Sequence, residues 1–169
     1  MLAIGVTEHD TNDVHDGPIL VGWREWVSLP QLGIVAIKAK ADTGARTSAM
    51  HAESIERHSV HGTPMIAFRV FPFRSDRVTS IAIEAPLVGE RLVRSSDGDA
   101  QMRPIVRTTL ELAGVSREIE ISLACRDLMG FRMLLGRVAL AGMLVDPMRS
   151  YLWGEFEPPP ASDVAPPAR

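Results

Sequence analysis

Apolar and polar positions alternate through the middle of this chain in short runs, many of them closed by Gly, Pro, Asp or Ser. Alternation with period two places one face of an extended strand on a core and the other on solvent, so the pattern predicts strands rather than helices. The runs fall at 19–27, 34–41, 46–52, 65–71, 78–85, 91–94, 101–106, 105–112, 117–123 and 133–135. Two turns carry hairpin chemistry: Asp97-Gly98, inside the polar stretch 95–99, and Ala113-Gly114. Asp-Gly is a favoured pair there because a tight hairpin needs positive φ. One segment breaks the rule: residues 137–144 read as a short helix ended by Asp146-Pro147. Many short strands with one late helix predict an all-β fold, a small barrel or sandwich.

The ends read differently. Residues 1–17 are polar and turn-rich, and 155–169 hold five of the chain's 12 prolines, so both are expected to be disordered tails around one domain at 18–154. No apolar stretch reaches the roughly 18 to 20 residues needed to span a bilayer, so no membrane association is expected, and no basic-then-apolar leader opens the chain. A single cysteine, Cys125, cannot form an internal disulfide and fits a reducing compartment, with the cytoplasm expected.

Charge sharpens the picture. The net charge is −3, yet residues 24–137 hold sixteen basic and thirteen acidic side chains. A mildly basic domain between acidic ends modestly favours an acidic partner. Nucleic acid is not expected, since clustered exposed aromatics are missing from the pattern. Sixteen of the 18 basic residues are arginine, and the two lysines, Lys38 and Lys40, sit at alternate positions of one strand and so on one face.

That strand ends in Asp42-Thr43-Gly44-Ala45, and about ninety residues later comes Met133-Leu134-Leu135-Gly136-Arg137. Asp-Thr-Gly alone is ordinary turn chemistry. A strand delivering it, followed by a buried apolar strand ending in Gly, is the pattern of half a two-carboxylate peptidase site. Two carboxylates about 3 Å apart repel by roughly 5 kcal/mol at an effective dielectric near 20, so one stays protonated while the other is a base. Asp42 is the candidate catalytic acid. Gly44 lets the backbone approach the carboxylate, the Thr43 hydroxyl can bond across a two-fold axis, and Ala45 adds no side-chain donor. Leu134, Leu135 and Gly136 would form the supporting floor. With one such Asp per chain, the site implies a homodimer.

These residues carry a resemblance. Stretches 22–30, 37–49, 93–96, 103–109, 129–137 and Asp146-Pro147 are similar to the bacterial retropepsin-like proteins of RimB type. These are often labelled ATP-dependent zinc proteases and are encoded near RimK-like glutamate ligases. The resemblance implies a retropepsin-like (acid-protease) closed β-barrel, a dyad of Asp42 from two copies, and a link to ligases that append glutamates to a ribosomal protein tail. Lys38, Lys40 and Arg46 depart from viral retropepsins, which are apolar or acidic there. The label itself is not supported by the residues: there is no His-Glu-x-x-His pair and no Gly-rich phosphate loop. The histidines, His51, His58 and His61 among them, read as surface residues, and neither a metal nor another cofactor is expected.

Lys38, Lys40, Arg46, Arg94, Arg103 and Arg132 are the candidate substrate-binding cations, in a basic cleft to which Arg107, Arg126 and Arg137 would add. Guanidinium forks grip carboxylates bidentately, which suits an acidic polypeptide such as a poly-glutamate tail. The hairpin 94–103 is the first candidate for a mobile cover and 73–78 the second. A different class remains open: a non-catalytic partner that regulates a RimK-like ligase.

Overall fold

The computed structural model describes residues 17–156, apart from 74–78, 95–97, 99 and 126–129. Its strands are β1 (Ile19–Gly22), β2 (Arg24–Leu29), β3 (Ile34–Ala41), β4 (Ser48–His51), β5 (Glu53–Val60), β6 (Thr63–Val70), β7 (Ile81–Pro86), β8 (Gly89–Arg94), β9 (Ala100–Leu112), β10 (Val115–Ala124), β11 (Met133–Leu135) and β12 (Met143–Asp146). The all-β expectation holds. Seven strands form the main sheet in the order β10-β4-β11-β3-β2-β9-β8, and β9 also pairs with β10. The pairings thus return on themselves, but β2 meets β9 through the single pair Ser28–Glu111. The ladder therefore does not establish the expected closed barrel. Strands β5-β6-β7 make a separate three-stranded sheet, and β1 pairs in parallel with β12.

The core lies on the inward face of the main sheet, where Leu29, Ile37, Met50, Ile121, Leu123 and Leu135 are almost wholly buried. Each such side chain contributes about 1.5–3 kcal/mol by leaving water. Two tight hairpins set the register. His61 and Gly62 both have positive φ, 49° and 81°, as do Ala113 and Gly114 at 56° and 74°; this conformation matches the right-handed twist of paired strands.

Three readings are corrected. The helix expected at 137–144 is not formed. After Gly136 the chain makes one turn, with the Leu140 N–H donating to the Gly136 carbonyl (3.2 Å) and the Met143 N–H to the Leu140 carbonyl (3.0 Å). Gly142, at φ 75°, then ends the turn in the left-handed region, and β12 follows in extended pairing with β1. That one turn already buries Ala139 and Leu140, so the apolar run is divided between a turn and a strand.

The single strand expected at 19–27 is broken at Trp23. A β-carbon on Gly22 would lie 2.6 Å from the Arg149 carbonyl oxygen, so the backbone of 149–150 crosses there. Buried Glu25 ties the crossing together, its Oε1 accepting from the N–H groups of Gly22 (2.7 Å) and Leu152 (3.0 Å). His51, expected on the surface, is buried within β4 and lies 3.2 Å from Glu53. Strand β5 has no clear alternation because most of its residues are exposed. The proposed tails fall outside the described residues except Gly17, Glu155 and Phe156, and Phe156 stacks on Phe73 with ring centres 5.8 Å apart.

A surface network joins β8, β9 and β10. Glu120 accepts from Arg91 and Arg107, and these bonds hold its carboxyl below the usual range for glutamate. A depressed folded pKa gives stability that is complete above the unfolded value, about 4.3, and is lost as pH falls through the folded value. Because the network is near the surface, Glu120→Gln should cost under about 1 kcal/mol at pH 7. Urea unfolding should show that difference shrinking between pH 6 and pH 3; a constant difference would contradict the assignment.

Candidate active site

Strand β3 ends at Ala41 and delivers Asp42 onto a tight turn. The Asp42 N–H donates to the Leu135 carbonyl at 2.9 Å, and the Ala45 N–H returns to the Asp42 carbonyl at 3.2 Å. The carboxylate is held within its own loop: Oδ1 accepts from the N–H groups of Gly44 (3.2 Å) and Ala45 (3.3 Å). Among the described residues nothing donates to Oδ2. Asp42 is half-buried, while Thr43 and Gly44 are exposed, so the tip of the loop faces outward.

The loop is supported by an insertion. Strand β11 lies between the two strands that flank the loop, parallel to β3 (Met133 beside Ala39, Leu135 beside Ala41) and antiparallel to β4 (Met133 beside Met50). Where β11 ends, Gly136 passes directly under the loop's return leg. A β-carbon there would sit 2.7 Å from both the Arg46 carbonyl oxygen and the Thr47 carbonyl carbon, closer than any side chain tolerates. The Gly136 N–H donates to Ser48 Oγ at 3.2 Å, and the N–H groups of Arg137 and Val138 reach the carbonyls of Ala45 (2.9 Å) and Arg46 (3.2 Å). Thr43, Gly44, Ala45, Leu134, Leu135 and Gly136 are thus brought together around Asp42.

Arg137 has a part that sequence reading missed. Its guanidinium donates to the carbonyl oxygens of Thr43 (3.0 Å) and Gly44 (2.8 Å). Those oxygens belong to the same two peptide groups whose N–H ends point at Asp42 Oδ1. Arg137 thereby clamps both donors from behind, and the charge polarises each peptide in the direction that strengthens the hydrogen bond its N–H donates to Asp42. Its place directly after Leu-Leu-Gly was the available signal.

The candidate substrate cations do not share one cleft. Lys38 and Arg132 line a cleft of about 790 Å³ with Arg24, Trp26 and Tyr151. Lys40, half-buried, stands between Arg24 on β2 and Leu134 on β11. Arg46 lines a separate recess of about 470 Å³ with Arg91 and Arg107. Arg94 is exposed at the end of β8. Arg103 is buried on β9, its Nε 3.4 Å from Gln101 Oε1. Arg126 lies outside the described residues, as do most of the tip of hairpin 94–103 and residues 74–78; β8 and β9 pair up to Arg94–Ala100. Among the described residues no three His, Cys, Asp or Glu side chains gather as metal ligands. Among the described residues no helix is long and apolar enough to cross a membrane.

A strand ending in Asp-Thr-Gly, with a Leu-Leu-Gly strand inserted beneath it, defines the retropepsin-like aspartic peptidase class. The family model described as "Retropepsin-like aspartic endopeptidase RimB" matches residues 20–155, and the chain belongs to this RimB-like family. A Shewanella pealeana protein named "Probable alpha-L-glutamate ligase" is 39% identical over 141 residues, 83% of this chain but 31% of that protein. One of the same name from Parasynechococcus marenigrum is 44% identical over 139 residues, 82% and 30% of the two chains. The chain therefore spans under a third of these relatives' length. Among solved structures it is similar to Lpg0085 from Legionella pneumophila, a protein of unknown function (TM-score 0.64, 26% identity, covering 79% of this chain and 97% of that one).

Two outcomes follow from the loop support. Gly136→Ala should destabilise the fold by about 1–3 kcal/mol or more, since the contact is backbone and cannot swing aside; an unchanged melting temperature would refute the crossing. Arg137→Ala should speed amide exchange at Gly44 and Ala45 at least tenfold, because one guanidinium nitrogen holds both carbonyls. Unaltered protection at both amides would refute the clamp.

Proposed function

We propose that this chain is a homodimeric aspartic endopeptidase acting on an acidic polypeptide. The observation that carries it is the held Asp42: one carboxylate oxygen fixed by two backbone donors, the other with no donor among the described residues, on a loop whose tip faces outward. A single carboxylate is an incomplete catalyst for amide hydrolysis, which needs a base for water and an acid for the carbonyl oxygen in the same step. A second copy related by a two-fold axis supplies the missing group, and exposed Thr43 is placed to bond its twin across that axis.

The chemistry then runs through the pair. The ionised Asp42 takes a proton from a water lying between the carboxyls while the protonated Asp42 gives its proton to the carbonyl oxygen, forming a tetrahedral diol. Collapse breaks the C–N bond as the protonated carboxyl gives its proton to the amide nitrogen and the ionised one takes a proton from a diol hydroxyl, so the dyad again holds one shared proton. The titration belongs to the dyad rather than to either residue. The glutamate-ligase names of the longer relatives support a substrate rich in glutamate, such as a glutamylated ribosomal protein tail, and a RimK-like ligase as partner.

Asp42→Asn should abolish cleavage of a glutamate-rich peptide, a loss of at least 10³-fold in kcat, while sedimentation still shows a dimer. Pepstatin-type inhibitors should slow the wild-type protein and chelators should not. Retained turnover in Asp42→Asn would end the aspartic mechanism. A changed ligase rate with no cut peptide would favour a regulatory partner instead.

A further inference from the structure

The cleft beside β3 has an unusual balance of charge. Arg24 and Arg132 join Lys38 on its walls, against one acid among the described lining residues, exposed Glu155. Register explains the clustering: Trp26 is the cross-strand partner of Lys38, and Arg24 that of Lys40, so both pairs share one outward face. Among the described residues neither Arg24 nor Lys38 makes an ion pair. Their charges rest on rings instead. Lys38 Nζ lies 5.0 Å from the centre of the Trp26 ring and 5.4 Å from that of Tyr151; the Arg24 guanidinium lies 4.6 Å from Trp23 and 5.0 Å from Tyr151.

Ring faces compensate a cation less than a carboxylate does, so the cleft keeps a positive potential available to a ligand. Two polar atoms in its walls, Arg24 Nε and the Tyr151 hydroxyl, are buried with no hydrogen-bond partner among the described residues. Buried polar groups are ordinarily satisfied, so these mark a place where an acceptor is missing. Shape adds a further clue. The chain's own Glu155-Phe156 lies along the cleft, with the Phe156 ring 5.5 Å from Trp26 and 5.8 Å from Phe73. An acidic peptide segment therefore fits there sterically.

We infer that this cleft is a binding subsite for a glutamate or aspartate side chain of a peptide, with Arg24 and Lys38 as its carboxylate-binding cations. It lies on the strand that delivers Asp42: four residues at about 3.3 Å each place Lys38 roughly 13 Å from the acid. An extended peptide covers that span with about four residues. The subsite thus selects for an acidic residue about four positions from the bond to be cut. This deepens the peptidase reading, on which it rests for the position of that bond.

Binding is the test, because it separates the two ideas. Fluorescein-labelled octaglutamate and octaglutamine would be titrated against the full chain carrying Asp42→Asn, with anisotropy as readout. Octaglutamate is expected to bind at least tenfold tighter than octaglutamine and to weaken severalfold between 50 and 500 mM NaCl. Adding Lys38→Met or Arg24→Met should weaken octaglutamate at least fivefold, and Lys38→Arg should retain it. Arg57→Met, which removes an exposed cation paired with Glu90 on another sheet, should leave it within twofold. Thermal melts confirm folding, and Lys38→Met, at a half-buried position, carries the test if Arg24→Met does not fold. Equal binding of the two peptides, or equal effects of Lys38→Met and Arg57→Met, would overturn the subsite. Failure of the wild-type chain to cut octaglutamate that it binds would overturn the peptidase reading alone.

Discussion

The close passage of Gly136 beneath Arg46 and Thr47 is the constraint on which the rest of this structure depends. It lets a three-residue strand slide between β3 and β4 although nearly a hundred residues separate it from the loop it supports. From that seam come the Leu135 carbonyl that receives the Asp42 N–H, the Ser48 hydroxyl bond, and the path that brings Arg137 back behind the loop. A side chain at Gly136 would part the backbones and release all of these together. The site is therefore a property of two distant segments in contact, and neither could hold Asp42 alone.

On the proposed function, what the seam builds is half a catalyst. Within one chain the Asp42 carboxylate has donors on one oxygen and no second carboxylate in hydrogen-bond contact among the described residues. Repulsion between two such groups, about 5 kcal/mol at close range, is what would split their protonation states and make one an acid and its twin a base. The division of labour proposed here follows: the fold of each copy orients a carboxylate, pairing of copies creates the chemistry, and a cationic face along the same strand chooses the peptide.

Much of this was legible in the sequence because it is local. Period-two runs, Ala113-Gly114 and the alternating Lys38 and Lys40 each report on residues within a few positions, and the two motifs located the loop and its floor. The misreadings share a cause. The run at 137–144 is apolar enough for a helix, but Gly142 and the free edge of β1 take its second half as a strand. Gly22 and Trp23 look like mid-strand residues until the backbone of Arg149 crosses them. The aromatic walls of the cleft come from Trp23, Trp26, Phe73, Phe131, Tyr151 and Phe156, which no sequence window holds together. Arg137 looked like one more basic residue, because its partners are backbone carbonyls that any residue type presents.

Subunit mixing addresses the proposed shared site most directly. Wild-type chains would be unfolded and refolded with increasing proportions of Asp42→Asn chains at constant total concentration, and cleavage of a glutamate-rich peptide followed. If one proton and one water sit between carboxylates from two copies, activity should fall as the square of the wild-type fraction, to a quarter at equal proportions. A fall in simple proportion, to one half, would mean that each chain works alone.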